Sequence, residues 1–167
     1  RKCISYLTIE KKGIIPIEYR KKIGTWIFGC DVCQEVCPLN NHAQDLHSTI
    51  KFGLEKIIPN DLNIEKLLVL DKKEYKIQFE NTPILRATHD QFLRNVILSA
   101  GNSLNQDLDK ELHMLLLNHP SNLVRAHAAW SISQFGSKFG KIALNKAHKS
   151  EQDALVRHEI IQSLENL

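Results

Sequence analysis

The sequence predicts a mostly α-helical fold in two parts: a short cysteine-bearing segment over residues 1–45, then a helical linker and repeat domain over 46–167. Three observations predict it. All four cysteines fall early, three of them in the tight run Cys30-Asp-Val-Cys33-Gln-Glu-Val-Cys37-Pro38. Beyond residue 60, apolar residues recur at helical spacing behind capping signals, with no strand-like alternation. An apolar pair leading into arginine also recurs, as Phe92-Leu93-Arg94, Leu123-Val124-Arg125 and Leu155-Val156-Arg157, at offsets of 31 and 32 residues.

Within the first part, Ile4-Ser5-Tyr6-Leu7-Thr8-Ile9 is rich in β-branched and aromatic residues. A short strand or an extended packed segment is expected there. Gly13 turns the chain. Pro16 suits the first position of a helix running to Ile23, and Gly24 the position just past its end. Trp26-Ile27-Phe28 is a short apolar run, expected to help keep water off whatever the cysteines hold. Gly29, just before Cys30, lets backbone approach a bound group closely.

In the second part, residues 46–60 read as an irregular connector. Asp71-Lys-Lys-Glu74 is a capping box, opening a helix to about Glu80. Thr82-Pro83 is a second start signal. Asp107–Leu117 carries Leu108, Leu112, Leu115 and Leu116 at helical spacing, and Ser121 caps a helix bearing Val124, Ala128 and Ile132. Helices near Ile142–His148 and from about Asp153 follow. Repeats of this length stack as helix pairs, although two ordinary amphipathic helices that begin alike would leave the same trace. Each repeat arginine is expected in the first turn of its helix, where a cation does not favour the helix dipole. A contact, either a brace to the neighbouring repeat or an external phosphate, would offset that cost.

The cysteine run has the spacing C-x2-C-x3-C-P. It matches the end of the bacterial ferredoxin run that holds [4Fe–4S] clusters, in which the cysteine before proline ligates the other cluster. On this reading Cys30 and Cys33 serve one cluster and Cys37 a second. Thiolates suit iron as soft, anionic donors, and Pro38 turns the chain away after the last of them. Zinc, a disulfide and buried thiols are the alternatives. A four-cysteine zinc site usually has two separate knuckles, whereas Cys3 stands alone here. Closely spaced cysteines favour metal over crosslinks. Two clusters need about eight thiolates; the chain has four, so the rest are expected upstream of Arg1.

The 167 residues, 43% hydrophobic and 25% charged, suffice for one sizeable core. No apolar run approaches the roughly 18 residues of a spanning helix, so no membrane partner is expected and the location is expected to be cytoplasmic. The overall charge of +3 is unevenly spread. Residues 1–29 hold Arg1, Lys2, Lys11, Lys12, Arg20, Lys21 and Lys22 against Glu10 and Glu18, a net +5 beside the cysteines. Such a local excess favours a polyanion; a solvated basic face would look the same.

Cys3-Ile-Ser-Tyr-Leu-Thr-Ile-Glu10, Gly13-Ile-Ile-Pro16 and Ile27-Phe-Gly-Cys30-Asp-Val-Cys33-Gln-Glu-Val-Cys37-Pro38-Leu-Asn40 together resemble the second cluster region of epoxyqueuosine reductases. Phe92-Leu-Arg-Asn95, Gly101-Asn-Ser103 and Leu123-Val-Arg-Ala-His-Ala-Ala-Trp130 resemble the helical-repeat tail of the same family. The resemblance covers essentially the whole chain and departs at Leu39, where the family usually has tryptophan. It implies part of a ferredoxin-like two-[4Fe–4S] segment followed by a HEAT-like repeat domain. It also implies an oxidoreductase that removes the epoxide oxygen of epoxyqueuosine at the tRNA wobble position, using cobalamin and two clusters. Cys3, Cys30 and Cys33 would then ligate one cluster and Cys37 the other, with Ser5 and Asp31 near the cobalamin. No catalytic residue is expected in this chain; the acid and most of the cobalamin pocket would belong to an N-terminal domain. Lys11, Lys12 and Arg94 are the expected contacts to a tRNA anticodon stem-loop. An electron donor is a further expected partner, and a monomer the expected state. The rival readings are a ferredoxin-like electron-transfer module of another reductase, such as a reductive dehalogenase relative, and a zinc-ribbon module on a helical scaffold.

Overall fold

A computed structural model describes residues 2–40 and 63–167. The expected connector at 46–60 and the expected boundary at 45/46 lie outside the described residues. Among the described residues every regular element is helical. Residues 17–23 form α1 (Ile17–Ile23) and residues 32–35 the single turn α2 (Val32–Glu35). Then come α3 (Ile64–Val69), α4 (Lys72–Gln78), α5 (His89–Ser103), α6 (Asp109–Asn118), α7 (Asn122–Phe135), α8 (Lys138–Ser150) and α9 (Ala154–Glu165).

The strand expected over Ile4–Ile9 is not formed. The backbone coils instead: the Leu7 N–H donates to the Cys3 carbonyl at 3.0 Å. The coil then widens into a π turn over Tyr6–Glu10, closed by the Lys11 N–H on the Tyr6 carbonyl at 2.9 Å. β-propensity measures the fit of a side chain to a pleated surface, and no strand among the described residues offers one. What the segment finds is a helix. Leu7 and Thr8 are buried, and the Thr8 hydroxyl bonds back to the Ile4 carbonyl at 2.9 Å, satisfying the coil locally.

Capping chemistry starts most of the remaining helices. Asp71 Oδ1 accepts from the Lys73 and Glu74 N–H groups, and Glu74 Oε2 from the Asp71 N–H, so the expected box is present. Thr82-Pro83 opens only a 3-10 turn over Pro83–Arg86. The long helix α5 begins after Thr88, which forms a second capping box with Gln91. The turn between is held by Tyr75: its hydroxyl lies 2.9 Å from the Ile84 carbonyl and 2.8 Å from that of Ala87. Burial raises the Tyr75 pKa to about 12, so the phenol keeps its proton. Ser137 and Asp153 cap α8 and α9 with side-chain bonds; Ser121 stands at the start of α7 without one.

Helices α5, α7 and α9 form an inner row, and α6 and α8 pack outside it. The shared core runs through Phe92, Ile97, Leu112, Val124, Ile132 and Leu144 to Ile160. At the crossing of α5 and α7, a Cβ on Gly101 would stand 2.7 Å from Ser131 Oγ and 2.9 Å from Ser131 Cα, so these helices meet backbone to backbone. Ser131 Oγ fills the contact by donating to the Ile97 carbonyl at 2.7 Å.

The three repeat arginines fare differently. Arg125 braces, as expected: its guanidinium grips the Glu151 carboxylate at 2.7 and 2.9 Å and donates to the His119 and Pro120 carbonyls. That bond holds the Glu151 carboxyl below its usual range and raises the Arg125 pKa. Arg157 stands at the matching position of α9 but is exposed, and no ion pair to it is formed among the described residues. Arg94 lies in the second turn of α5 rather than the first, and is wholly buried.

Candidate cluster-binding site

The four cysteines sit on two short stretches of backbone. Cys3 precedes the coil that widens into the π turn. Cys30, Cys33 and Cys37 lie along a chain of tight turns, in which the Gln34 N–H bonds the Asp31 carbonyl, the Cys37 N–H that of Gln34, and the Asn40 N–H that of Cys37. Gly29 enters this stretch at φ +71°, in the left-handed region where a side chain is strained. All four thiols are free; Cys3 and Cys33 are exposed, Cys30 and Cys37 half-buried.

Among the described residues no three His, Cys, Asp or Glu side chains converge on the position of a single metal ion. A structural zinc needs such convergence. A [4Fe–4S] cluster does not, because each thiolate binds a different iron corner. Four free thiols on two turn-rich stretches have the donor chemistry that iron–sulfur clusters take.

Backbone without regular structure carries carbonyls that need partners, and this segment takes them from α5. The whole helix from Gln91 to Gly101 is buried, and its polar residues form a stripe at helical spacing. The Gln91 side chain donates to the Lys11 carbonyl at 3.2 Å. Arg94 donates to the carbonyls of Leu7, Lys11 and Gly13 at 3.0, 2.8 and 2.7 Å. Asn95 Nδ2 donates to Thr8 at 2.7 Å and Ile27 at 2.9 Å. Ser99 reaches the Thr25 carbonyl, and Asn102 Nδ2 those of Arg20 and Gly24 at 2.9 and 2.8 Å.

Helices α7 and α9 complete the cradle. His127 is fully buried; its Nδ1 bonds the Leu123 carbonyl at 2.8 Å, and its Nε2 accepts the Ile15 N–H at 3.2 Å. One ring nitrogen must donate and the other accept, so the imidazole is neutral. Burial, then the Arg20 and Arg94 charges, hold its pKa well below 6.5. Arg20, 1% exposed, pairs with Glu159 on α9 at 2.5 Å, donates to the Ile15 carbonyl and lies 5.8 Å from the centre of the Trp130 ring.

Several expectations are revised by this geometry. Arg94 was expected at a tRNA phosphate. It has no exposed surface, and its guanidinium is spent on three carbonyls and the Asn95 side chain; burial lowers its pKa only to about 10, so it stays charged. Arg20 likewise contributes nothing to the basic surface. Lys12 is exposed, and Lys11 half-buried. Ser5 is half-buried in the turn after Cys3, and Asp31 is exposed, bonded to Gln34 Nε2 at 3.1 Å. Not all the apolar residues around the cysteines form a shield. Val36 is 73% exposed and Leu39 88%; Trp26, Ile27 and Phe28 instead line an apolar cavity of about 670 Å³ with Phe79 and Phe92. Thr8, Gln91, Asn95, His127 and Glu159 have no role in the reading of the sequence, although Thr8, Asn95 and His127 fall inside the segments that carry the resemblance. The available signal was a polar stripe, Gln91, Arg94, Asn95, Ser99 and Asn102, on a helix otherwise apolar enough to be buried all round.

Comparisons with known proteins agree with this geometry. Residues 1–40 match the family described as a 4Fe-4S double cluster binding domain, and residues 81–165 match HEAT repeats. The epoxyqueuosine reductase of Francisella cf. novicida is 41% identical over 136 residues, covering 80% of this chain and 37% of that protein. The structure of epoxyqueuosine reductase from Bacillus subtilis superposes with a TM-score of 0.87 at 34% identity, over 99% of this chain and 44% of that one. A crystal structure of an epoxyqueuosine reductase with an epoxyqueuosine-modified tRNA-Tyr stem loop gives 0.83 at 32% identity, over 99% of this chain and 43% of that one. The chain thus spans about two fifths of the length of the relatives it matches. A cysteine segment cradled by the inner row of a helical repeat, matched end to end in these structures, places the chain in the epoxyqueuosine reductase family.

Proposed function

We propose that this chain is the part of an epoxyqueuosine reductase that carries electrons to the reaction centre and offers a surface to tRNA, in the reduction of epoxyqueuosine to queuosine at the wobble position. The observation that carries the proposal is the C-x2-C-x3-C-P run, entered from backbone that a helical repeat bonds as far as Ile27, beside a second cysteine stretch. Residues 1–45 would form the cluster segment and 46–167 the linker and repeats. Cys3, Cys30 and Cys33 would hold one [4Fe–4S] cluster and Cys37 would ligate a second. Ser5 and Asp31 would face the cobalamin.

Bound clusters and cobalamin supply the low-potential electrons that side chains cannot. This chain's own residues hold the thiolates in place and leave Cys3 and Cys33 open to the group they bind. Lys11 and Lys12 would meet phosphate of the anticodon stem-loop, since they lie on the turn tied to Arg94, next to the cysteine stretch. A tRNA substrate suits a cytoplasmic protein; an external electron donor and a monomeric state complete the proposal.

Anaerobic reconstitution of the full-length protein should give about eight iron and eight sulfide per chain, two clusters' worth. It should also give turnover of epoxyqueuosine in tRNA. Cys33→Ser and Cys37→Ser should each abolish a different cluster signal. A colourless protein with one bound zinc, or identical spectra for the two variants, would refute this assignment.

A further inference from the structure

The cysteine motif fixes the spacing of Cys30, Cys33 and Cys37 along the chain. It says nothing about how far Cys3 stands from them, because Cys3 belongs to a separate stretch of backbone. Two side chains span that gap. The Thr8 hydroxyl, which donates to the Ile4 carbonyl, accepts the Gly29 N–H at 3.1 Å, joining the turn after Cys3 to the residue before Cys30. The Asn95 amide, on α5, donates at once to the Thr8 and Ile27 carbonyls.

We propose that Asn95, with Thr8, is a positioning residue for the iron–sulfur cluster. It sets the separation of Cys3 from Cys30 and Cys33 by holding both flanking backbones from a helix of the repeat domain. The inference rests on the cluster ligation given under Proposed function.

Three features of the residue carry it. Asn95 is 1% exposed, so its two bonds face no competition from water. Its orientation is set: Oδ1 accepts from Arg94 Nε at 3.1 Å and Nη2 at 2.9 Å, which points Nδ2 at the two carbonyls. Arg94 itself reaches only the stretch from Leu7 to Gly13 and leaves the Cys30 side untouched. Asn95 is thus the α5 residue that reaches both cysteine stretches, at residues five beyond Cys3 and three before Cys30. A site of this kind works only if its donors are held within a fraction of an ångström.

The molecule supplies a matched control. Asn102, two turns further along α5, also donates two amide bonds to two carbonyls, but at Arg20 and Gly24, around α1. Asn95→Ala and Asn102→Ala therefore delete the same chemistry in two places. In the reconstituted full-length protein, both should lower the melting temperature of the cluster-free form. Only Asn95→Ala should shift the electron paramagnetic resonance spectrum and potential of the cluster lost in Cys33→Ser. Iron from that cluster should pass to a chelator about tenfold faster, the low end of what removing an outer support costs. The cluster lost in Cys37→Ser should be unmoved. Should Asn95→Ala fail to fold, Thr8→Val, which deletes the Gly29 link together with the hydroxyl's bonds to the Ile4 and Ser5 carbonyls and leaves the Asn95 bonds in place, is read by the same measurements. Unchanged spectra and release, or an equal change in Asn102→Ala, overturn the positioning role alone. A wild-type protein that takes up no iron overturns the ligation reading, and the positioning role with it.

Discussion

Residues 2–40 and the helices from α5 onward are built on opposite principles. The repeat helices satisfy their own backbone and meet mainly through apolar side chains, with the close Gly101–Ser131 contact and the Arg125–Glu151 brace beside them. The cysteine segment satisfies part of its backbone in its own turns and gives the carbonyls of Leu7, Thr8, Lys11, Gly13 and Ile27 to buried polar side chains on its neighbour. The difference shows how position is set in each. Apolar burial is non-directional and tolerates exchange of similar volumes. A carbonyl held by a buried donor has one good place to be, and losing the donor leaves it orphaned.

The largest test of this contrast is Arg94→Ala. It strips the Arg94 donor from the Leu7 and Gly13 carbonyls, removes one of the two donors to that of Lys11, and leaves Asn95 without the partner that orients it. At about 1–3 kcal/mol for a buried unsatisfied group, a loss of about 4 kcal/mol or more is expected in chemical denaturation. Lysine at the same site should restore little, having no fork to reach several acceptors. An exposed arginine would cost almost nothing, so a small effect would break the comparison.

Gly101→Ala probes the repeat side. Its Cβ meets Ser131 backbone as well as side chain, and overpacking of this kind costs about 1–3 kcal/mol. The same measurement on the double variant Gly101→Ala with Ser131→Gly should recover part of the loss; no recovery would place the strain elsewhere.

His127 couples the two regions and should make them pH-sensitive. Its folded pKa lies well below 6.5, so the unfolded chain binds a proton that the native ring refuses. Stability is therefore fully present above about pH 6.5 and falls as the pH drops below it, by up to about 1.4 kcal/mol per unit. Denaturation at pH 7.5 and 5.5 should show this slope in the wild type and a smaller one in His127→Gln, where the lowered pKa of His119 still contributes.

The smallest effect is expected at Thr88. Thr88→Ala removes the cap of α5 and should cost about 1 kcal/mol. Iron uptake should be untouched, because the Thr88 hydroxyl bonds the Gln91 N–H, while the Gln91 amide that reaches Lys11 stays held by the Thr88 N–H. A change in iron uptake would show that the start of α5 and the cysteine segment are not separable.

The same contrast governs what could be read from sequence. Helix starts at Asp71 and Asp153 were legible because a cap and its helix are neighbours in the chain. Thr88 was passed over because the equally good signal Thr82-Pro83 precedes it by six residues, and that one yields only a 3-10 turn. The cysteine spacing was legible for the same local reason. The coil over Tyr6–Glu10 was not, since its composition favours a strand and only contact with α5, over 80 residues away, overrides it. Arg94 was misjudged because a charged residue after an apolar pair says nothing of which backbone will come to meet it. Arg125 and Arg157 share a sequence context, yet only Arg125 has Glu151 within reach.

The Gly101–Ser131 contact has an evolutionary consequence. Solenoid repeats usually drift with little penalty, because a slight change in crossing angle is absorbed by the next interface. Here a bulkier pair would turn α5 about its axis and swing the Gln91-to-Asn102 stripe with it, displacing every loop that stripe holds. Freedom to diverge should therefore be smallest at the α5–α7 joint, limited at α9 by the Glu159 pair to Arg20, and greatest at α8, which bonds no residue of the cysteine segment among the described residues. The first repeat has in effect given up being interchangeable with the others.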